Sequence, residues 1–232
     1  MEIAYDKHNI NKVFSSTHIH IDFYQREYKW DKDTVTRLID DIFYRFDSAY
    51  SEYRNLTANK ENVENKYPWY FMNTYVTNES GKTYIVDGQQ RLTTLSLILI
   101  SLYHLCDKYN LRKQQDWLRT KIAGVGPGGE KQYWLGHERR IEIMQTLFEQ
   151  SEPAGNLMDR DITAKNMFEN YKTINGELHK RLETKQKLDT FIYYFLLRIV
   201  MINLEVEQKN VAMVFEVIND RGIRLNPYEI NC

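Results

Sequence analysis

The chain is poor in cysteine, proline and long apolar runs, and it carries almost no net charge. Two cysteines, Cys106 and Cys232, in 232 residues cannot build a disulfide framework, so stability has to come from a packed core. Four prolines leave few enforced breaks. No apolar run approaches the roughly 20 residues of a membrane span, and Met1 is not followed by a secretory-signal pattern. These absences point to a cytoplasmic protein with no membrane partner. The net charge of −1 excludes a uniformly basic nucleic-acid-binding surface, so any DNA contact must come from a local patch. There is also no H-E-x-x-H, no G-x-x-x-x-G-K-[ST], no cysteine cluster and no HNH pattern.

What is present suits a globular chain: 42% hydrophobic and 27% charged residues. Ile19-His-Ile-Asp-Phe23 alternates as a short strand, and His18 and His20 share one face of it. With no third ligand evident, they read as a solvated pair, not a metal site. A helix opens after Trp30, capped by Asp31 or Asp33, with Val35, Leu38, Ile39, Ile42, Phe43 and Phe46 on one stripe and Asp40 and Asp41 facing away. Residues 51–66 read as a solvated helix tail and loop. Residues 69–77 and 83–87 form a hairpin around Asn78-Glu-Ser-Gly81. The helix from Gln89 to Tyr109 is apolar almost all round, hence central and buried.

Gly124-Val-Gly-Pro-Gly-Gly129 matches G-x-G-x-x-G in letters, but it follows a helical segment and contains Pro127. It reads as a loop, not a dinucleotide site. Further helices carry stripes at Phe168, Tyr171, Ile174, Leu178 and Leu182, and at Leu188, Phe191, Ile192, Phe195 and Leu196. A strand follows, in which Val200, Ile202, Leu204 and Val206 alternate with Met201, Asn203 and Glu205. A last helix has Val211, Val214, Phe215 and Ile218, with Gly222 as a left-handed cap. Asn226-Pro227-Tyr228-Glu229 then starts another helix, which predicts a domain downstream. The whole reads as one helix-rich α+β domain over 1–232, with the core sheet and motif in 10–110 and a mainly helical second part in 111–232.

The joint "TYIVDGQQRLTTLSLI" (83–98) turns a strand directly into the buried helix. Such a joint sets free backbone N–H groups and the positive helix end beside Gly88. Arg91 adds a forked, permanently charged donor, and Gln89, Gln90, Thr93 and Thr94 add neutral ones, so the turn reads as a phosphate cradle. Asp87-x-x-Gln90 equally fits a capping box, with Arg91 paired to an acid. Asp87 is the one acid placed to hold Mg²⁺ or orient water. Tyr24, Gln25 and Arg26, just after the first strand, carry an aromatic, an amide and a guanidinium suited to a base or phosphate. The alternative makes Tyr28 and Trp30 core anchors with Arg26 solvated; it is preferred for Trp30, and the functional reading for Gln25 and Arg26.

Four blocks in register resemble one family. "IVDGQQRLTTLSLI", "IDFYQREYKW" with "DDI", "YFMNTYV" and "VFEVINDRGIRLNPYEI" are similar to the DGQQR-containing N-terminal domain of GmrSD-type modification-dependent restriction enzymes and SspE-like phage-defence proteins. The chain departs from that pattern at Asp22 and Glu27, where prolines are usual, and at Asn73, where glycine is usual. The resemblance implies a small mixed sheet related to the ParB and sulfiredoxin fold, whose G-x-x-R motif Gly88-Gln-Gln-Arg91 fits. It implies a nucleoside triphosphate with Mg²⁺ at that turn. Asp87, Arg91 and Asn219 would be catalytic, and Arg221 and Gly222 would line the same cleft. Tyr24, Gln25 and Arg26 would meet DNA. It implies an NTP-hydrolysing sensor acting on modified DNA, with the nuclease in a C-terminal domain or subunit. The alternative is a non-catalytic DNA- or protein-binding module of the same fold.

Overall fold

A computed structural model of the chain describes residues 4–15, 18–21, 27–126, 128–136, 138–151 and 161–222. Six strands form one mixed sheet in the order β1-β8-β3-β4-β2-β7. These are β1 (Ala4–Asn9), β2 (Ile19–His20), β3 (Tyr70–Glu79), β4 (Thr83–Asp87), β7 (Leu135–Gly136) and β8 (Ile199–Glu205). β5 (Ala123–Val125) and β6 (Lys131–Tyr133) make a separate hairpin around the glycine-rich loop. β1 runs antiparallel to β8, β8 parallel to β3, and β3 antiparallel to β4 through a turn at Gly81, whose φ is 69°. The sheet therefore reaches beyond 10–110. β1 precedes that span and β7 and β8 follow it, because hydrogen-bonding edges are satisfied by whichever strands the helices bring alongside.

The helices are α1 (Ile10–Val13), α2 (Lys32–Tyr53), α3 (Lys60–Lys66), α4 (Gln89–Tyr109), α5 (Arg112–Ile122) and α6 (Glu138–Glu149). α7 (Ile162–Arg181), α8 (Lys185–Arg198) and α9 (Val211–Gly222) follow. Asp31 is the N-cap of α2, accepting from the Thr34 N–H at 2.8 Å. Its stripe buries Ile39, Ile42, Phe43 and Phe46, and Phe43 stacks on Phe191 of α8 at 4.5 Å between centroids. α4 is the axle of the fold. Leu92 through Leu102 are all buried, and the helix packs on α5, α7 and the sheet-side elements. An all-round apolar helix can be satisfied only in such a central place.

The two sheet faces differ. Tyr75, Ile85 and Met201 belong to the main core. On the other face Val76, Val86 and Val206 form a satellite cluster with Leu204, Val211 and Val214 under α9. The alternation in β8 thus marks the satellite face, while Met201, on the opposite face, is the fully buried one. The expected loop between 51 and 66 contains α3, whose N-cap Asn59 accepts from the Asn62 N–H at 2.8 Å. Of the strand expected over 19–23, only Ile19–His20 is paired, and 22–26 lie outside the described residues. The helix start at 226–229 lies outside them as well. Among the described residues no helix is long and apolar enough to cross a membrane.

Candidate functional site

β4 ends at Asp87 and α4 begins at Gln89, with Gly88 between them at φ 99°, ψ 2°. That backbone disfavours any side chain. A Cβ at Gly88 would also lie 2.8 Å from the Tyr75 Cβ, so the glycine lets the turn close against β3. Gly88 is itself the N-cap, and among the described residues no side chain caps the helix. The capping box built on Asp87 is therefore not formed, because Asp87 stays in the strand, opposite Val76. The first-turn N–H groups keep the partial positive charge that attracts anions.

Arg91 lies along this turn. Its Nη1 donates to the Thr74 carbonyl at 3.0 Å, and Nη2 stands 3.8 Å from the Asp87 carboxylate. The two side chains are 19% and 35% exposed, so the pair borders solvent. Burial lowers the Arg91 pKa, and Asp87 opposes that shift. A second guanidinium meets the turn from α6: Arg140 is buried and its Nη2 donates to the Gln89 Oε1 at 3.1 Å. Burial brings its pKa down to about 10, against the attraction of Tyr28 and Asp161. At neutral pH both guanidiniums remain charged. Nothing in the sequence marked Arg140, which sits in a polar stretch and is buried only by tertiary packing.

The neutral residues of the motif face the protein. Gln90 Oε1 accepts the Lys29 N–H at 2.8 Å and the Trp30 N–H at 3.4 Å, and its Nε2 donates to the Glu27 carbonyl at 2.7 Å. This amide clamps segment 27–30 as a neighbouring strand would. Thr93 and Thr94 are fully buried, and their hydroxyls donate to the Gln89 and Gln90 carbonyls at 2.8 and 2.9 Å. The expected threonine donors to phosphate are thus turned into the helix, as Thr on a helix can do.

Tyr28 is the hub of the clamped segment. Its hydroxyl lies 2.8 Å from Thr94 Oγ1 and 3.2 Å from Asn170 Nδ2. The Thr94 proton goes to Gln90, so the order of donation runs Asn170 to Tyr28 to Thr94 to Gln90. The Tyr28 N–H donates to Thr163 Oγ1 at 3.1 Å, and Asn166 and Asn170 donate to the Tyr28 and Trp30 carbonyls at 2.8 and 2.7 Å. Burial pushes the Tyr28 pKa up to about 12, so it stays a neutral donor. Tyr28 is buried in the core, and Trp30, expected as an anchor, packs partly buried against it.

Tyr24, Gln25 and Arg26 lie outside the described residues. Asn219, Arg221 and Gly222 lie on the backbone of α9, where Gly222 is still helical instead of a cap beyond the end. α9 packs against β4, the strand that ends at Asp87. His18 and His20 stack edge-on at 5.4 Å, beside Trp134 and Tyr84. No group of three or more potential metal ligands gathers among the described residues.

The joint, the uncapped helix and the guanidiniums of Arg91 and Arg140 that border the turn define a class: a helix-rich α+β domain organised around a strand-glycine-helix turn. Over residues 10–231 the chain matches the N-terminal domain of the GmrSD restriction endonuclease, and it belongs to that family. A comparison with curated proteins gives no match.

Proposed function

We propose that the first turn of α4 binds the phosphates of a nucleoside triphosphate, and that the domain is an NTP-hydrolysing sensor within a restriction or phage-defence protein acting on modified DNA. One observation carries this: Arg91 borders solvent beside a helix start that no described side chain caps, and a second, buried guanidinium, Arg140, holds the Gln89 side chain of the same turn. Backbone N–H groups and Arg91 would take phosphate oxygens, with Gln89, held by Arg140, adding a neutral donor. Gln90, Thr93 and Thr94 would act from behind, holding the turn. Asp87 would hold Mg²⁺, which would offset the phosphate charge. Asn219, Arg221 and Gly222 of α9 would orient the nucleotide, the nearness of α9 to β4 being the support. DNA cleavage would belong to a further domain or subunit.

The commitment of Gln90, Thr93 and Thr94 to internal bonds favours the second reading, a non-catalytic DNA- or protein-docking module. Titration calorimetry with ATP, GTP, CTP and UTP in Mg²⁺ separates the two. Removing Arg91 takes away a charge-assisted contact worth about 1.5–3 kcal/mol, or roughly 10- to 150-fold in affinity. Arg91→Lys keeps the charge but loses the fork, so a smaller loss is expected. A folded Arg91→Ala protein with unchanged affinity for every nucleotide that binds overturns the proposal, as does the absence of any binding.

A further inference from the structure

We infer that the open half of the sheet's outer face, around Trp69 and Phe71, is a stacking platform for an unpaired DNA strand. The cross-strand register puts Lys7 opposite Ile202, Asn9 opposite Val200, and Val200 opposite Phe71. These residues share the face that α9 covers farther along, at Leu204 and Val76. Tyr5, Trp69 and Phe71 are 79%, 48% and 54% exposed around a groove of about 360 Å³ floored by Val200 and Ile202. Rings this exposed usually signal a partner.

The charges name the partner. Lys7 Nζ stands 3.0 Å from the Trp69 ring centroid, and the Arg198 guanidinium stands 5.2 Å from it. Asp6 also lines the groove, but its carboxylate is bonded to Lys12 and His8, and its register opposite Asn203 sets its side chain toward the face of Tyr75. Glu64 offsets part of the Arg198 charge, which leaves Lys7 the cleaner phosphate partner. Exposed rings beside cations on a sheet match the two chemistries of a single strand, π faces and phosphates. Bases in a duplex are stacked on each other and cannot use the rings. Membership in a restriction endonuclease family favours DNA over a protein helix.

The test is fluorescence anisotropy of a labelled oligothymidylate and of a duplex of equal length, without nucleotide, so that its outcome is independent of the site at Arg91. The protein should prefer the single strand. Trp69→Ala with Phe71→Ala should weaken that binding at least about 10-fold, while the melting temperature and the duplex affinity stay unchanged. Lys7→Ala should lower the salt dependence. Equal single-strand binding by the double variant, or a preference for duplex, overturns the inference. So does a concentration-dependent dimer in sedimentation that the double variant dissolves, since a second copy would then cover the face.

Discussion

Changing Gln90 to Glu alters one atom of the amide and reverses one of its bonds. The partners of Gln90 fix its orientation: two backbone N–H groups, of Lys29 and Trp30, face one end, and the Glu27 carbonyl faces the other. A glutamate keeps the acceptor at the first end but sets a carboxylate oxygen against the Glu27 carbonyl. One hydrogen bond of about 0.5–1.5 kcal/mol is lost, and an unsatisfied group adds about 1–3 kcal/mol where water is excluded. The contact is partly exposed, so we expect a total of about 1.5–3 kcal/mol at pH 7.5. With a urea m-value of about 1–3 kcal/mol/M, the midpoint falls by roughly 1 M.

The variant has its own pH signature. Facing a carbonyl raises the folded pKa of the introduced carboxyl above its unfolded value of about 4.3. The penalty is therefore full at neutral pH and is relieved as pH falls through the folded value, when the acid donates to the Glu27 carbonyl again. Equilibrium urea unfolding of wild type, Gln90→Glu and Gln90→Ala at pH 7.5 and 5.0 reads this directly. The gap between Gln90→Glu and wild type should narrow at pH 5.0, while the Gln90→Ala gap should not. Wild-type stability of Gln90→Glu at pH 7.5 would refute the clamp and return Gln90 to a ligand-facing role.

Gly88→Ala forces a side chain into φ 99° and against Tyr75. It should cost about 1–3 kcal/mol, or roughly 2–12 °C in melting temperature by calorimetry. An unchanged melting temperature would mean that the turn is not held as described. Burial lowers the pKa values of His8, His18, His20 and His104 below 6.5. The unfolded chain then takes up protons first, so stability should fall as pH drops below about 6.5 and stop falling for these groups below their folded values. Thermal melts from pH 8 to 5.5 check this, and a rising melting temperature over that window would contradict it.

Legibility in the sequence tracked how local each cause was. α4 was readable end to end because its apolar residues occupy every face, and the start of α2 to within Asp31 or Asp33, because a cap acts within one turn. β1 was not, since Ala4-Tyr-Asp-Lys-His-Asn9 has no apolar alternation and is a strand only because β8 offers it an edge. β2 was legible within the alternation of 19–23, whereas the two-residue β7 is set by its neighbour β2 alone. At the site, the strand-glycine-helix joint and the pairing of Arg91 with an acid could be read. The inward turn of Gln90, Thr93 and Thr94 could not, because it depends on where residues 27–30 dock. Arg140 joins from a distant helix with no pattern of its own.

The position of β8 bears on how the protein is made. Thr77 and Asn203 are bonded at 2.9 Å across β3 and β8, yet they stand 126 positions apart. At synthesis rates of about 5–20 residues per second, β3 waits roughly 6–25 seconds for its partner. Meanwhile the hairpin that ends in the Gly88 turn presents an unpaired edge, with Phe71 beside it. That interval is when the nascent chain is most open to wrong strand pairing and most in need of a chaperone.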